Sequence, residues 1–130
     1  MGQKALTLIL GREMAANLAT PMFLIDAEGR LVFFNEAAEQ IIGKTWAEVG
    51  EISSLEFGAM LDLQDADGNS LRRRDTPPSV SFNERRPAHA VLLAKSADGS
   101  RRLVEVTSFP LFARTDEMHG VVTIFWTVDQ

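Results

Sequence analysis

Apolar residues recur at helical spacing from the start of the chain. Leu6, Leu10, Met14 and Leu18 fall at i, i+4 intervals, Ile9 widens the stripe, and Lys4, Arg12 and Glu13 take polar positions. That periodicity predicts an amphipathic helix over Ala5 to Asn17. Gly11 weakens it, and Pro21 ends it, because the residue before a proline prefers extended backbone. The pattern then shortens to strand-like runs. Met22 to Asp26 and Leu31 to Phe34 are two apolar stretches separated by Ala27-Glu28-Gly29-Arg30, where Gly29 supplies the positive φ of a tight hairpin loop. Helical spacing returns after Asn35, which stands where an N-cap belongs. Ala37, Ala38, Ile41 and Ile42 form an apolar face, and Gly43 sits at the left-handed C-cap position.

Between Lys44 and Asn83 the pattern is more broken. Trp46 to Val49 after a Thr45 cap, and Phe57 to Leu61, read as short helices. Asp65-Ala66-Asp67-Gly68-Asn69 looks like a calcium loop, but Gly68 comes too early and the closing acid is missing, so a Gly-containing turn is expected. Thr76-Pro77 pairs a cap residue with a first-turn proline and starts a helix running to Arg85. Three strands close the chain: Ala88 to Lys95, Arg102 to Pro110 and Val121 to Val128, the first two joined by Ser96-Ala97-Asp98-Gly99-Ser100 and the last opened by Gly120. Strands at both ends with helices between them imply an α+β fold, a five-stranded antiparallel sheet with short helices on one face.

The order and spacing of these pieces resemble the PAS domain family. Asp26-x-x-Gly29-Arg30-Leu31 followed by Asn35-x-Ala37 is similar to that family's first hairpin and capped helix. Asp75-Thr76-Pro77 resembles the start of its central helix. Ala97-Asp98-Gly99-x-Arg101, Pro110-Leu111 and Gly120 resemble its three-strand finish. The resemblance spans Pro21 to Val128, dividing the chain into an N-terminal amphipathic helix (1–20) and a PAS domain (21–130). It implies helices packed over one sheet face around a core or ligand cavity. Signalling members end the last strand in Asp-Ile/Val-Thr before a coiled-coil linker. Here Thr127-Val128-Asp129 is followed by one residue, so a stand-alone PAS domain is expected.

Composition narrows the chemistry. At 130 residues, 45% apolar and 24% charged, the chain is sized for one globular core. It has no Cys, which excludes disulfides, thiolate metal sites and a covalent flavin adduct, and no Tyr to serve as a phenolic acid. A net charge of −5 argues against nucleic acid as a partner, and Arg72-Arg73-Arg74 and Arg85-Arg86 read as solvated loop charge. Apolar runs are too short for a membrane span, Met1-Gly2-Gln3-Lys4 does not start a signal peptide, and Leu6 breaks a myristoylation motif, so a cytoplasmic location without a membrane partner is expected.

The resemblance implies an axial His on the central helix for a haem-binding member. Pro77 to Arg85 contains none, and His89 and His119 read as surface residues, the latter in a turn; neither haem nor covalent flavin is expected. The candidate pocket lining is Leu24, Phe33, Ile42, Phe82, Leu92, Val104 and Val106, with Ser108 as the polar member; close packing argues that these side chains fill the core. Met22-Phe23-Leu24-Ile25, Leu31-Val32-Phe33-Phe34 and Ile124-Phe125-Trp126 are apolar on both faces, whereas a one-sided sheet should alternate. Something must cover the second face. The leading helix and a second subunit are the expected cover, with Leu6, Ile9, Leu10, Met14, Phe23, Ile25 and Phe125 at a homodimer interface. The functional expectation is a non-catalytic sensor and interaction module in signal transduction, with a protein partner and a small apolar ligand in its core pocket. The competing reading is a small enzyme on a curved sheet of the ketosteroid isomerase kind. That would need a buried acid or base, and the acids cluster in turns, with only Glu105 mid-strand.

Overall fold

The computed structural model describes residues 19–114 and 116–128. Its elements follow the sequence pattern closely at the start. Strands β1 (Met22–Asp26) and β2 (Arg30–Phe34) are joined by a turn in which Asp26 Oδ1 accepts from the N–H groups of Glu28 and Arg30, at 2.9 and 3.0 Å. Helix α1 (Glu36–Ile42) begins at Asn35 and ends at Gly43, whose φ of 83° is the left-handed C-cap. Helix α2 (Trp46–Val49) carries a capping box between Thr45 and Glu48. A two-residue strand β3 (Ile52–Ser53) leads into α3 (Ser54–Leu61), capped by the Ser53 hydroxyl. Then come β4 (Gln64–Asp65), a 3-10 turn at Arg73–Asp75 and α4 (Pro77–Glu84). The chain closes with β5 (Ala88–Lys95), β6 (Arg101–Arg114) and β7 (Glu117–Thr127).

The sheet is antiparallel with spatial order β3-β2-β1-β7-β6-β5-β4. Among the described residues seven strands replace the expected five, because β3 and β4 each add two residues to an edge. The β6–β7 hairpin also runs further than the sequence suggested. Pro110 pairs with Val121 inside it instead of ending the strand. That position lies beyond Ala88↔Ser108, the last pair with β5, where β6 is an edge on that side and tolerates a residue lacking an N–H.

Two apolar clusters occupy the two faces. On the helix side, Phe23, Ile25, Leu31, Phe34, Leu92, Val104, Val106 and Phe125 meet Ile41, Ile42 and Phe57 from the helices. Phe57 sets its edge on Phe23 at 5.0 Å between ring centres and stacks on Phe34 at 6.1 Å. On the opposite face, Met22, Leu24 and Val122 are buried among Val32, Phe33, Phe109, Leu111 and Ile124. A register shift between Leu24 and Ile25 leaves Val32 out of the β1–β2 pairing, so both Val32 and Phe33 join this outer cluster.

Candidate functional site

The helix-side core is not filled. A cavity of about 610 Å³ lies between the sheet and the helices, where side-chain volume was expected to leave none. Its apolar walls come from Phe23, Ile25, Val104, Val106 and Phe125 on the sheet and from Ile41, Phe57, Leu61 and Phe82 on the helices. Leu55, at the start of α3, is 61% exposed and stands at the mouth. Polar groups concentrate at one side: Ser54 from α3, Arg73 from the 3-10 turn, and Thr76 and Ser79 at the head of α4. Glu28 and Asp62 also reach the lining, and both residues are exposed.

The polar side of the cavity is built by local hydrogen bonds. Thr76 does not cap α4 as its position suggests. Its hydroxyl donates to the Arg73 carbonyl at 2.8 Å and meets Ser79 Oγ at 3.2 Å, which locks the 3-10 turn to the helix. Arg73 Nη2 donates to Ser54 Oγ at 3.0 Å. Asp62 is held at 2.5 Å by Arg101, which also donates to the Asp62 carbonyl. At the far end of α4, Arg85 adopts φ 57°, taking the left-handed position where glycine is usual, and its guanidinium bonds the Asp116 carbonyl at 2.9 Å.

Of the residues expected to line a pocket, Phe82, Val104 and Val106 do so. Ile42 and Leu92 belong to the helix-side core without reaching the cavity. Ser108 is fully buried on that side, but its hydroxyl shares a 2.7 Å hydrogen bond with Thr123 and is not part of the lining. Leu24 and Phe33 require correction, since both belong to the outer cluster. The expected interface residues Phe23, Ile25 and Phe125 require the reverse correction, because all three line the cavity. The cause is strand parity: shifting the face assignment by one residue exchanges every side chain between the two faces. Leu6, Ile9, Leu10 and Met14 lie outside the described residues.

The basic cluster and His89 are exposed as expected, whereas His119 differs from expectation. Arg72, Arg73 and Arg74 are exposed, as expected of solvated charge, but Arg73 also reaches the cavity rim, and Arg72 pairs with Asp75 at 3.1 Å. His89 is exposed, with Nδ1 at 2.7 Å from Thr107 Oγ1 and Nε2 at 3.3 Å from Glu105. His119 is not a surface turn residue. It is 1% exposed, with Nε2 at 2.9 Å from Glu117 and Nδ1 unpartnered, because β7 begins at Glu117 and draws His119 into an irregularity of the β6–β7 ladder.

Three carboxylates are held below their ordinary pKa, all by local hydrogen bonds in turns or caps. Glu48 accepts from the Thr45 backbone and side chain, Asp65 from the Asn69 backbone, and Asp98 from the hydroxyl and N–H of Ser100. None of them lines the cavity. Among the described residues no carboxylate is buried, and no three metal-ligating side chains cluster. No helix among them is long and apolar enough to cross a membrane.

The model of the PAS fold matches residues 10–127. The chain belongs to the PAS family. Three solved structures show how widely the architecture is shared. The PAS domain of a Colwellia psychrerythraea protein is 15% identical, with a TM-score of 0.67 over 93% of this chain and 96% of that one. The PAS domain of nitrogen regulation protein NR(II) from Vibrio parahaemolyticus is 16% identical, with a TM-score of 0.63 over 92% and 98%. The light-state dimer of the fungal blue-light photoreceptor Vivid is 16% identical, with a TM-score of 0.64 over 91% and 93%. At such identities the likeness establishes the fold alone. No curated protein matches the chain by sequence. PAS domains are generally non-catalytic sensory modules of signal transduction.

Proposed function

We propose that this PAS domain is a non-catalytic sensor that holds a small, largely apolar molecule in its helix-side cavity. Its state passes on through homodimerisation and binding of a signalling partner, in the cytoplasm. The observation that carries the reading is the cavity itself: about 610 Å³ falls within the roughly 300–1,000 Å³ of small-molecule sites, and its walls are apolar with a few polar groups on one side. The sensor reading is favoured over the enzyme reading because, among the described residues, neither a buried carboxylate nor the buried His119 lines the cavity.

Assembly is supported by the outer face. Met22, Leu24 and Val122 are already buried on a face that a one-sided sheet would leave polar, and the apolar surface still exposed on strands of the same sheet is Val91 and Trp126, at 38% and 37%. The stripe Leu6, Ile9, Leu10 and Met14 has the matching apolar character, and a second subunit doubles the area available to cover this face. That Vivid forms a light-state dimer gives the reading a precedent within the fold.

Native mass spectrometry of the full chain purified from its own host tests both parts together, reporting bound small molecule and oligomeric state. A dimer carrying a ligand mass is expected. The double change Leu10→Glu, Met14→Glu should weaken the dimer and leave the circular dichroism of the sheet intact. A wild-type chain that sediments as a monomer at high micromolar concentration refutes the dimer.

A further inference from the structure

Among the described residues Arg73 is the one cation on the cavity lining; it is exposed at the rim, and no carboxylate among them pairs with it. Its recorded side-chain bond goes to a neutral hydroxyl, Ser54 Oγ at 3.0 Å, and no acid of the described residues lies within ion-pair distance. Its neighbours differ in that respect: Arg72 pairs with Asp75, and Arg101 pairs with Asp62. Arg73 is also held in place, since the 3-10 turn is closed by Asp75 N–H to the Arg72 carbonyl at 2.9 Å and by Thr76 Oγ1 to the Arg73 carbonyl at 2.8 Å. A guanidinium has five donors in a planar fork, and one of Arg73's is spent on Ser54.

The groups beside Arg73 are donors as well. Ser79 lines the same cavity and sits just past two prolines, Pro77 and Pro78, which have no N–H to offer. The next amide, Val80 N–H, already bonds the Thr76 carbonyl at 3.0 Å. The Ser79 N–H is therefore the first free donor that α4 presents, its hydroxyl being engaged with Thr76, at the end of the helix that favours negative charge. Of the two acids on the lining, Asp62 is committed to Arg101, and Glu28, exposed on the hairpin turn as Arg73 is at the rim, makes no ion pair with Arg73.

Resting on the proposed sensor reading, we infer that the cavity takes a monocarboxylate with an apolar tail, its carboxylate bound by Arg73 with Ser54 and Ser79 and its tail among Phe23, Phe57 and Phe125. The chemistry is complementary at both ends. A carboxylate accepts from the guanidinium fork in two places, and hydrogen bonds to charged groups are the strong ones. The tail leaves water for an apolar wall. At about 30 Å³ per non-hydrogen atom, the cavity has room for at most on the order of 20 such atoms, a medium-length chain.

Calorimetric titration of the full chain, stripped of any copurifying molecule, with decanoate and with 1-decanol provides the test. The two probes share a tail and differ in the headgroup. Wild type should bind decanoate about tenfold or more tighter than decanol, and Arg73→Met should erase that preference while leaving decanol affinity unchanged. Arg72→Met, which removes the same charge from an arginine already paired with Asp75, should leave decanoate binding intact. Equal binding of both probes, unaffected by Arg73→Met, overturns the carboxylate anchor and leaves the apolar sensor cavity standing. A loss in Arg72→Met as large as in Arg73→Met overturns it too, because net charge then explains the effect. Failure of a folded wild-type chain to bind either probe overturns the cavity reading and the anchor together.

Discussion

Asn35 joins three parts of the fold through one buried side chain, and its loss should cost more than a helix cap. Its Oδ1 accepts from Ala38 N–H at 3.0 Å, capping α1, and from Met22 N–H at 3.0 Å, fixing the start of β1. Its Nδ2 donates to the Thr20 carbonyl at 2.9 Å. In Asn35→Ala the cap is worth roughly 0.5–2 kcal/mol. The Met22 N–H then has no acceptor at a residue that is only 2% exposed, which adds roughly 1–3 kcal/mol for a buried unpaired donor. The expected loss is about 2–5 kcal/mol. Ser53→Ala supplies the comparison, because Ser53 caps α3 through Glu56 N–H at 3.1 Å without a second buried donor depending on it. Urea unfolding followed by far-UV circular dichroism measures both, at one protein concentration because association would shift the midpoint. If the two variants lose stability within about 0.5 kcal/mol of each other, Met22 N–H finds another partner and the double role assigned to Asn35 is wrong.

Gly120 pairs with Asp26, and a Cβ placed on it would lie 2.3 Å from the Ile25 carbonyl oxygen. Gly120→Ala should therefore push β1 from β7 and cost roughly 1–3 kcal/mol or more, seen as lost hydrogen-exchange protection in β1; unchanged protection refutes the clash. Gly29 has φ 81° and open space around it, with Ser54 Oγ nearest at 3.8 Å, so Gly29→Val tests conformation alone. A loss of about 1–3 kcal/mol in urea is expected, and an unchanged midpoint refutes it. Asp98 should titrate below an ordinary Asp by carboxyl NMR, and Ser100→Ala should raise it, since the Ser100 hydroxyl at 2.6 Å is the main cause. Because the folded pKa is the lower one, the stabilisation is present above the ordinary Asp pKa and fades as pH falls through the folded value.

The hairpin, α1 and its caps were legible because each rests on residues whose chemistry has few alternatives: Asp26 and Gly29 in the turn, Asn35 at the cap, Gly43 at the exit. The cavity wall was not, because Met22 to Ile25 in β1 and Leu31 to Phe34 in β2 are unbroken apolar runs, and periodicity alone cannot say which face turns inward. The face of β6 was readable, since Glu105 and Thr107 alternate with Val104 and Val106. Directly paired residues of antiparallel strands share a face, so the known face of β6 propagates across the sheet. Val106↔Phe125 turns Phe125 inward, Ser108↔Thr123 does the same for Thr123, and Phe23↔Thr123 then brings Phe23 with it. Leu24↔Val122 follows to the outside. The parity of an all-apolar strand is therefore a property of its neighbours' register. Arg73 was hidden for a different reason: its place on the rim depends on the Thr76 hydroxyl bonding back to a carbonyl instead of capping the helix ahead, a choice that the residues Asp75-Thr76-Pro77 leave open.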